Sequence, residues 1–185
     1  SYMWQYTYNL RGLYETPALT EEATLGHEKA AEILRAARAD RRTVLTELES
    51  KRILATYGIP TVETRVAASA EEAVREAEAL GYPIAVKLNS RIVVHKSGVG
   101  GVQLDLRSAQ EVRDAFEAIR ARLAELGRQA DFEGVTVQPM IRGGGYELIV
   151  GSSIDSHFGP VLLFGTGGVL VEVFKDRSLA LPPLN

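Results

Sequence analysis

The chain has 185 residues, of which 45% are hydrophobic and 24% are charged, and its net charge is −3. These values are typical of a globular protein and exclude a disordered or collagen-like chain. The small negative charge gives no reason to expect nucleic-acid binding, and no apolar run approaches the roughly 18 residues of a membrane span. The absence of cysteine excludes a disulfide framework, a thiolate metal site and a cysteine nucleophile. No signal peptide is recognisable, and we expect a cytoplasmic protein.

Residues 1–44 are predicted to form an extension that leads into the main domain. Five aromatic residues lie between positions 2 and 14, and part of this run alternates as in a strand. Two interpretations stay open: a segment that packs on this domain, or a docking segment for a neighbouring domain. Residues 21–40 are rich in good helix formers and predict a helix that ends at Arg41 and Arg42.

Regular start and stop signals for helices begin at Thr46. Three capping boxes, each a Ser or Thr followed three residues later by Glu, are predicted at Thr46 with Glu49, Ser69 with Glu72, and Ser108 with Glu111. Glycines at positions 58, 81 and 127 are expected to end the three helices. Strand-like runs occur at residues 62–67, 84–88, 102–106, 135–140, 146–151, 161–164 and 169–174. Helices and strands alternate up to Met140, and only strands and glycine loops follow, which indicates an α+β fold.

Residues 79–104 contain no acidic side chain but several basic ones. Lys87 lies on a predicted strand, and a loop with Lys96, Gly100 and Gly101 follows it. A glycine-rich loop exposes backbone N–H groups that can surround phosphate oxygens, and lysines supply charges for the same anion. A strand lysine beside a glycine-rich flap is also how several nucleotide enzymes hold a triphosphate. The alternative is a surface hairpin with solvated lysines.

His95 precedes Lys96 in this loop. The adjacent ammonium favours the neutral, nucleophilic imidazole, which can accept a phosphoryl group. The alternative, a loop histidine with a structural hydrogen bond, is the commoner role of a single histidine. The three histidines lack metal-ligand spacing, so no metal site is predicted. The chain also lacks a P-loop, a complete GxGxxG fingerprint and a GxSxG elbow.

Two later glycine clusters, at 143–145 and 165–168, each precede a strand that contains an acid, Glu147 or Glu172. An acid inside a strand needs a ligand, a metal or a base as partner, unless the strand has one wet face. Residues 138–140 end a strand where the helical alternation stops, which suits a hinge between two lobes. Backbone groups at such a hinge can pair with an adenine edge.

Several motifs in the chain match one known family. The most specific is His95-Lys-Ser-Gly-Val-Gly-Gly-Val102, and the others are residues 45–49, 57–60, 81–87, 137–140, 146–151, 158–160, 164–168, 171–176 and 181–184. Together they resemble the ATP-grasp domain of the NDP-forming acyl-CoA synthetases, the ADP-forming acetate–CoA ligase family. That family usually has aspartate after His-Lys-Ser, where this chain has Gly98.

The resemblance implies an ATP-grasp fold with a complete small lobe at residues 45–140 and a truncated second lobe at 141–185. It also implies synthesis of acyl-CoA from a carboxylate, ATP and CoA through an acyl phosphate and a phosphohistidine. Lys87 would bind the phosphates of ATP or ADP. The implied covering loop contains His95 and Lys96 as catalytic residues, with Gly100, Gly101 and Val102. The implied base and nucleotide contacts are Gln138, Met140 and Glu147.

The family's magnesium ligands are expected in a segment beyond Asn185. Expected partners are CoA-binding and CoA-ligase domains, or a subunit that carries them, and a GNAT domain is a further candidate. An alternative function is therefore a ligand-sensing, synthetase-like module fused to a GNAT-type acetyltransferase. Another is an ATP-grasp ligase that makes an amide, which the His-Lys-Ser loop argues against.

Overall fold

The computed structural model describes residues 2–4, 6–7, 21–142, 145–168 and 177–182. The described residues fall into two compact units: the larger covers residues 21–141, and the smaller covers residues 2–4 and 6–7 together with 142, 145–168 and 177–182. Both helices and sheets are present, and the predicted α+β class is confirmed. Within the described ranges, no helix is both long and apolar enough to cross a membrane.

The larger unit consists of four helices and a four-stranded antiparallel sheet. The helices are α1 (Glu21–Ala39), α2 (Glu47–Thr56), α3 (Ala70–Leu80) and α4 (Ala109–Glu125). The strands are β1 (Arg65–Ala67), β2 (Ile84–Leu88), β3 (Val102–Leu106) and β4 (Val135–Pro139). Their order in the sheet is β1-β4-β2-β3. Short 3₁₀ turns lie at Ser97–Val99 and Gln129–Asp131.

One face of this sheet forms the hydrophobic core. Alternate residues of β2 and β4 are fully buried there, and α3 and α4 pack against them. The sheet residues of this face are Ile84, Val86, Leu88, Val135 and Val137. The helices contribute mainly Ala73, Ala77, Val112, Phe116, Ile119 and Leu123.

The opposite face of the same sheet carries polar side chains. Lys87 lies directly across from Thr136, and Ala85 lies across from Gln138. Side chains of α2 reach this face, because Glu47 bonds Lys87 and Lys51 bonds Gln138. The alternation of the strands therefore separates an apolar core from a polar face that α2 covers.

The helix signals predicted from sequence are confirmed. Thr46 and Glu49 form a reciprocal capping box, and Ser69 and Ser108 accept the expected N–H groups. Glu72 and Glu111 differ in one detail, because each accepts the N–H of the residue before the cap. Glycines 58, 81 and 127 follow the three helices with φ angles of +72°, +85° and +67°, positive values that glycine adopts at low cost because it has no Cβ.

The smaller unit contains a three-stranded antiparallel sheet in the order β5-β6-β7. Its strands are β5 (Leu148–Asp155), β6 (Gly159–Thr166) and β7 (Arg177–Ala180). Asp155 accepts the N–H groups of His157 and Phe158 in the turn that joins β5 to β6. The run at residues 161–164 is apolar throughout, a pattern that favours burial on both faces, but Phe164 is 52% exposed. A strand is buried on both faces only where a second layer covers each face.

Two further sequence predictions concern the start of the chain and residues 169–174. Residues 2–4 and 6–7 are helical with exposed side chains, so the strand-like alternation at the start of the chain was misleading. The strand expected at residues 169–174, including Glu172, lies outside the described residues.

Candidate functional site

A cleft of about 560 Å³ opens beside the polar face of the larger unit. Its walls are the start of α2, the loop that follows β2 and the first residue of β3. Four of the residues predicted from sequence line it together: Lys87, His95, Lys96 and Val102. Val102 faces the same side of the sheet as Lys87, because the two residues are direct partners in the β2–β3 ladder.

Glu47 lies at the centre of the charged groups in this cleft. Its Oε1 accepts a hydrogen bond from Lys87 Nζ at 2.9 Å, and its Oε2 accepts one from Lys96 Nζ at 2.9 Å. Lys51, one turn further along α2, places its ammonium 3.1 Å from Oε1. Three ammonium groups and one carboxylate leave a net charge of +2. The site is therefore suited to an anion with more than one negative charge.

The charge on Glu47 follows from its surroundings. Burial by itself raises the pKa of this carboxyl, but the hydrogen bonds and charges of Lys87 and Lys96 outweigh burial and lower the pKa to about 2. Glu47 is consequently ionised at neutral pH. The acid-free stretch seen in the sequence thus acquires an acidic partner from α2, since Glu47 precedes Lys87 by 40 residues.

Side-chain contacts hold the base of the loop between β2 and β3. Ser90 is buried and its Oγ accepts the N–H groups of Ile92 and Val93. Arg91 pairs with Glu133, with Nε and Oε2 2.9 Å apart. These contacts fix the base of the loop from which His95 and Lys96 extend.

The two glycines at the end of this loop have a structural role. Gly100 donates its N–H to Ser97, and Gly101 donates its N–H to the Lys96 carbonyl at 2.8 Å. A Cβ on Gly101 would lie 3.0 Å from both Leu88 Cβ and that carbonyl oxygen. The glycine-rich sequence predicted that these N–H groups would face a phosphate, whereas in the structure both are used within the loop.

His95 is exposed at the edge of the cleft. Its imidazole makes no hydrogen bond with any residue that the structure describes. The structural hydrogen bond that would explain a loop histidine is therefore absent from the described part of the chain. Among the described residues, neither ring nitrogen has a partner that would compete with a group bound in the cleft.

Gln138 is connected to the cleft through Lys51. The Gln138 Oε1 accepts hydrogen bonds from Lys51 Nζ at 2.7 Å and from Thr64 Oγ1 at 3.2 Å. Lys51 also bonds Glu47, so one lysine joins the predicted phosphate side to the predicted base side. Neither Lys51 nor Glu47 was identified from sequence, although their i, i+4 spacing in the predicted helix places both on one face.

Near Gln138, one edge of β4 is not paired with β1. The β1–β4 pairing stops at Arg65 and Val137, so residues 138–140 extend beyond β1. Met140 donates its N–H to the Pro83 carbonyl at 2.8 Å on the β2 side. At residues 138–140, the predicted hinge, the backbone is therefore paired on the β2 side. On the opposite side it has no neighbouring strand among the described residues.

Glu147 belongs to the smaller unit, where it lies against the glycine loop after β6. Its carbonyl accepts the N–H of Gly167 at 2.6 Å. Gly168 has a φ angle of +82°, and a Cβ there would lie 2.7 Å from Glu147 Oε2. The structure therefore brings this acid and the second glycine cluster together.

The donor set of the cleft does not fit a metal ion. Among the described residues, no cluster of three or more His, Asp or Glu side chains could hold one. Glu47 is engaged by three ammonium groups, which would repel a cation at that position. The cleft residues fit phosphate oxygens instead.

The chain matches one family of proteins over most of its length. A model described as "ATP-grasp domain" matches residues 36–185. The chain therefore belongs to the ATP-grasp family, and the resemblance stated from its motifs is confirmed.

Two of its relatives are named as ADP-forming CoA ligases. The chain is 41% identical over 156 residues to the beta subunit of acetate–CoA ligase (ADP-forming) I from Pyrococcus furiosus, covering 84% of this chain and 66% of that subunit. It is 36% identical over 169 residues to 4-hydroxybutyrate–CoA ligase (ADP-forming) from Nitrosopumilus maritimus, covering 91% of this chain and 24% of the relative. The chain thus spans only part of each relative.

The fold also matches solved structures of a related enzyme. Acetyl-coenzyme A synthetase 1 of Candidatus Korarchaeum cryptofilum, in complex with coenzyme A and Ca-AMPCP, matches with a TM-score of 0.79 and 42% identity, covering 84% of this chain and 68% of that one. A second structure, with coenzyme A and Mg-AMPPCP and its phosphohistidine segment pointing towards the nucleotide site, matches with a TM-score of 0.70 and 38% identity, covering 84% and 65%.

Proposed function

We propose that this chain is the nucleotide-binding part of an ADP-forming acyl-CoA ligase. The reaction of the complete enzyme would convert a carboxylate, ATP and CoA into acyl-CoA, ADP and phosphate. The observation that carries the proposal is the pair of ammonium groups, Lys87 and Lys96, beside His95 in one cleft of net positive charge. The relatives reported above are ligases or synthetases, which supports this function over a sensing module of an acetyltransferase.

Lys87 and Lys96 would bind the phosphate oxygens of ATP or ADP. An ammonium has three N–H donors, and Glu47 uses one from each lysine. Two donors on each side chain are left for a ligand. Both lysines can therefore bind a phosphate without leaving Glu47.

His95 would contact the phosphoryl group that is transferred. In one role its ring N–H donates a hydrogen bond to that group and stabilises charge in the transition state. In the other, a ring nitrogen attacks phosphorus, the bond from phosphorus to the leaving oxygen breaks, and the imidazole proton is released. The open position of the ring, with no bond to any described residue, is compatible with both.

The adenine base would lie at residues 138–140, where the β4 edge extends beyond β1. Val102 and the loop closed by Gly100 and Gly101 would cover the phosphates, and Glu147 would act as the nucleotide-site acid of the second lobe. We retain the lobe boundaries at residues 45–140 and 141–185 as part of the proposal, with residues 1–44 as an extension.

Magnesium would accompany the nucleotide, as in the related synthetase with Mg-AMPPCP. Because the cleft supplies cations and not metal ligands, the groups that hold the metal would lie elsewhere in the complete enzyme. CoA-binding and CoA-ligase domains, or a subunit that carries them, would supply the CoA chemistry. A cytoplasmic location fits a reaction that consumes ATP and CoA.

Isothermal titration of the chain with ATP, ADP and adenosine tests the binding half of this proposal. We expect ATP and ADP to bind more tightly than adenosine, and the difference to shrink in a Lys87→Met, Lys96→Met double variant. Equal affinity for ATP and adenosine in the wild-type chain would refute the phosphate assignment. Acyl-CoA formation by the complete enzyme, with acetate as the first substrate tried, tests the catalytic half.

A further inference from the structure

The carboxylate of Glu47 joins the two lysines of the cleft, Lys87 and Lys96. We propose that Glu47 is a positioning residue that holds Lys87 and Lys96 as a single clamp for a polyphosphate. The inference rests on the proposed function, because the clamp has a purpose only if nucleotide phosphates enter this cleft. Glu47 was not among the site residues predicted from the sequence.

The geometry requires a bridging group between the lysines. Lys87 comes from β2, and Lys96 comes from the loop that follows it. Two ammonium groups that point into one cleft repel each other, and the repulsion grows as they approach. Glu47 offsets this repulsion because each of its carboxylate oxygens accepts a hydrogen bond at 2.9 Å from a different lysine. Among the described residues, it is the only partner of either ammonium.

Glu47 is itself fixed in the first turn of α2. The capping box of Thr46 and Glu49 sets the start of the helix, and Arg42 holds Glu49 with a 2.6 Å contact between Nη2 and Oε1. Lys51, which also bonds Gln138, supports the Glu47 carboxylate from the next turn. The carboxylate is therefore presented from a rigid element, as a positioning group needs.

The contact to Lys96 also ties the loop to α2. The Lys96 carbonyl accepts the N–H groups of Val99 and Gly101, so this residue organises the loop backbone as well. Lys96 thus holds the loop in two ways, through its backbone carbonyl and through the contact of its side chain with Glu47. The loss of Glu47 is expected to loosen residues 94–101.

Whether a substitution of Glu47 raises or lowers the affinity for ATP distinguishes a positioning role from an effect of net charge. Replacing Glu47 with glutamine raises the net charge of the cluster from +2 to +3. If charge alone decided affinity, ATP would bind more tightly to this variant. If Glu47 pre-organises the lysines, ATP binds more weakly because two flexible side chains must then be ordered on binding.

The test compares Glu47→Gln with Glu71→Gln, an exposed glutamate in the first turn of α3 that contacts neither cleft lysine. Affinities for ATP and adenosine are measured by calorimetry. We expect Glu47→Gln to weaken ATP about tenfold and to change adenosine by less than about twofold. Glu71→Gln should leave the ratio of the two affinities unchanged. Glu47→Asp keeps the charge but withdraws the carboxylate by one methylene, so it should resemble Glu47→Gln.

A double-mutant cycle identifies the groups through which Glu47 acts. In a Lys96→Met background, Glu47→Gln should cost much less ATP affinity than in the wild-type chain, because half of the clamp is already gone. Additive losses would overturn the proposal. So would equal losses for ATP and adenosine, or tighter binding of ATP by Glu47→Gln.

Amide hydrogen exchange of the ligand-free chain separates this inference from the proposed function. Exchange of residues 94–101 should be faster in Glu47→Gln and unchanged in Glu71→Gln. If the wild-type chain binds no ATP, the proposed function fails, while faster exchange still supports the clamp. Unchanged exchange in Glu47→Gln overturns the clamp whether or not ATP binds.

Discussion

The carboxylate of Glu47 lies 2.9 Å from the ammonium of Lys87, and this contact joins the first turn of α2 to the middle of the sheet. It explains how a lysine can lie half-buried on a polar sheet face without an unpaired charge. The same contact determines what substitutions at either residue should do.

Replacing Lys87 with methionine should weaken ATP binding. The variant loses one charge-assisted hydrogen bond to phosphate, which contributes roughly 1.5–3 kcal/mol, or about 10- to 150-fold in affinity. Calorimetric titration with ATP measures the change. Lys29→Met, at an exposed position of α1, is the matched control and should bind as the wild type does. Equal affinities of Lys87→Met and the wild type would remove Lys87 from the site.

Acid should destabilise the wild-type chain partly through Glu47. Its pKa is about 2 in the folded chain, against an ordinary value of 4.5. Between these values the unfolded chain binds more protons, so the free energy of unfolding falls as the pH drops from about 4.5 towards 2. Above pH 4.5 the stabilising contribution is fully present.

Urea unfolding at pH 7, 4.5 and 3 measures this dependence. The stability difference between the wild type and Glu47→Gln should be largest at pH 7 and should shrink as the pH falls through the window. Glu49, whose pKa Arg42 also lowers to about 2, keeps part of the acid sensitivity in that variant. A difference that stays constant from pH 7 to 3 would show that Glu47 does not titrate as described.

Replacing Gly101 with alanine should destabilise the chain by about 1–3 kcal/mol, because the new Cβ would crowd Leu88 and the Lys96 carbonyl at 3.0 Å. Gly98→Ala is the matched control, since a Cβ there meets nothing within 4 Å. Thermal or urea unfolding compares the two variants. Similar stabilities would mean that the close approach at Gly101 is relieved by a small backbone shift.

Replacing His95 should lower turnover of the complete enzyme far more than it weakens ATP binding. Loss of a donor to the transition state typically costs a factor of about 10² to 10³ in rate. Asparagine can donate a hydrogen bond but cannot carry a phosphoryl group, so His95→Asn and His95→Ala together separate the two roles. Substantial activity in His95→Asn excludes obligatory phosphorylation here, and wild-type turnover in both variants removes His95 from the reaction. His27→Asn, on the exposed side of α1, is the control.

Local signals predicted the elements of the larger unit well. The bounds of β2 and β3 and the three capped helices follow from patterns that span only a few residues. The strand at residues 62–67 was predicted too long, because only residues 65–67 pair with β4. The strand at 146–151 extends instead to Asp155, because pairing with β6 continues through the polar residues Ser152 and Ser153.

The sequence by itself determined the sheet lysine, the loop that follows it and the family to which the chain belongs, because these depend on residue types at short, fixed spacing. Only the tertiary structure decided that Glu47 bridges Lys87 and Lys96, which follow it by 40 and 49 residues. It also decided that the Gly100 and Gly101 N–H groups are used within the loop. Charge pairing and backbone satisfaction depend on which groups the packing of α2 and the loop against the sheet brings within about 3 Å, and no local pattern encodes that distance.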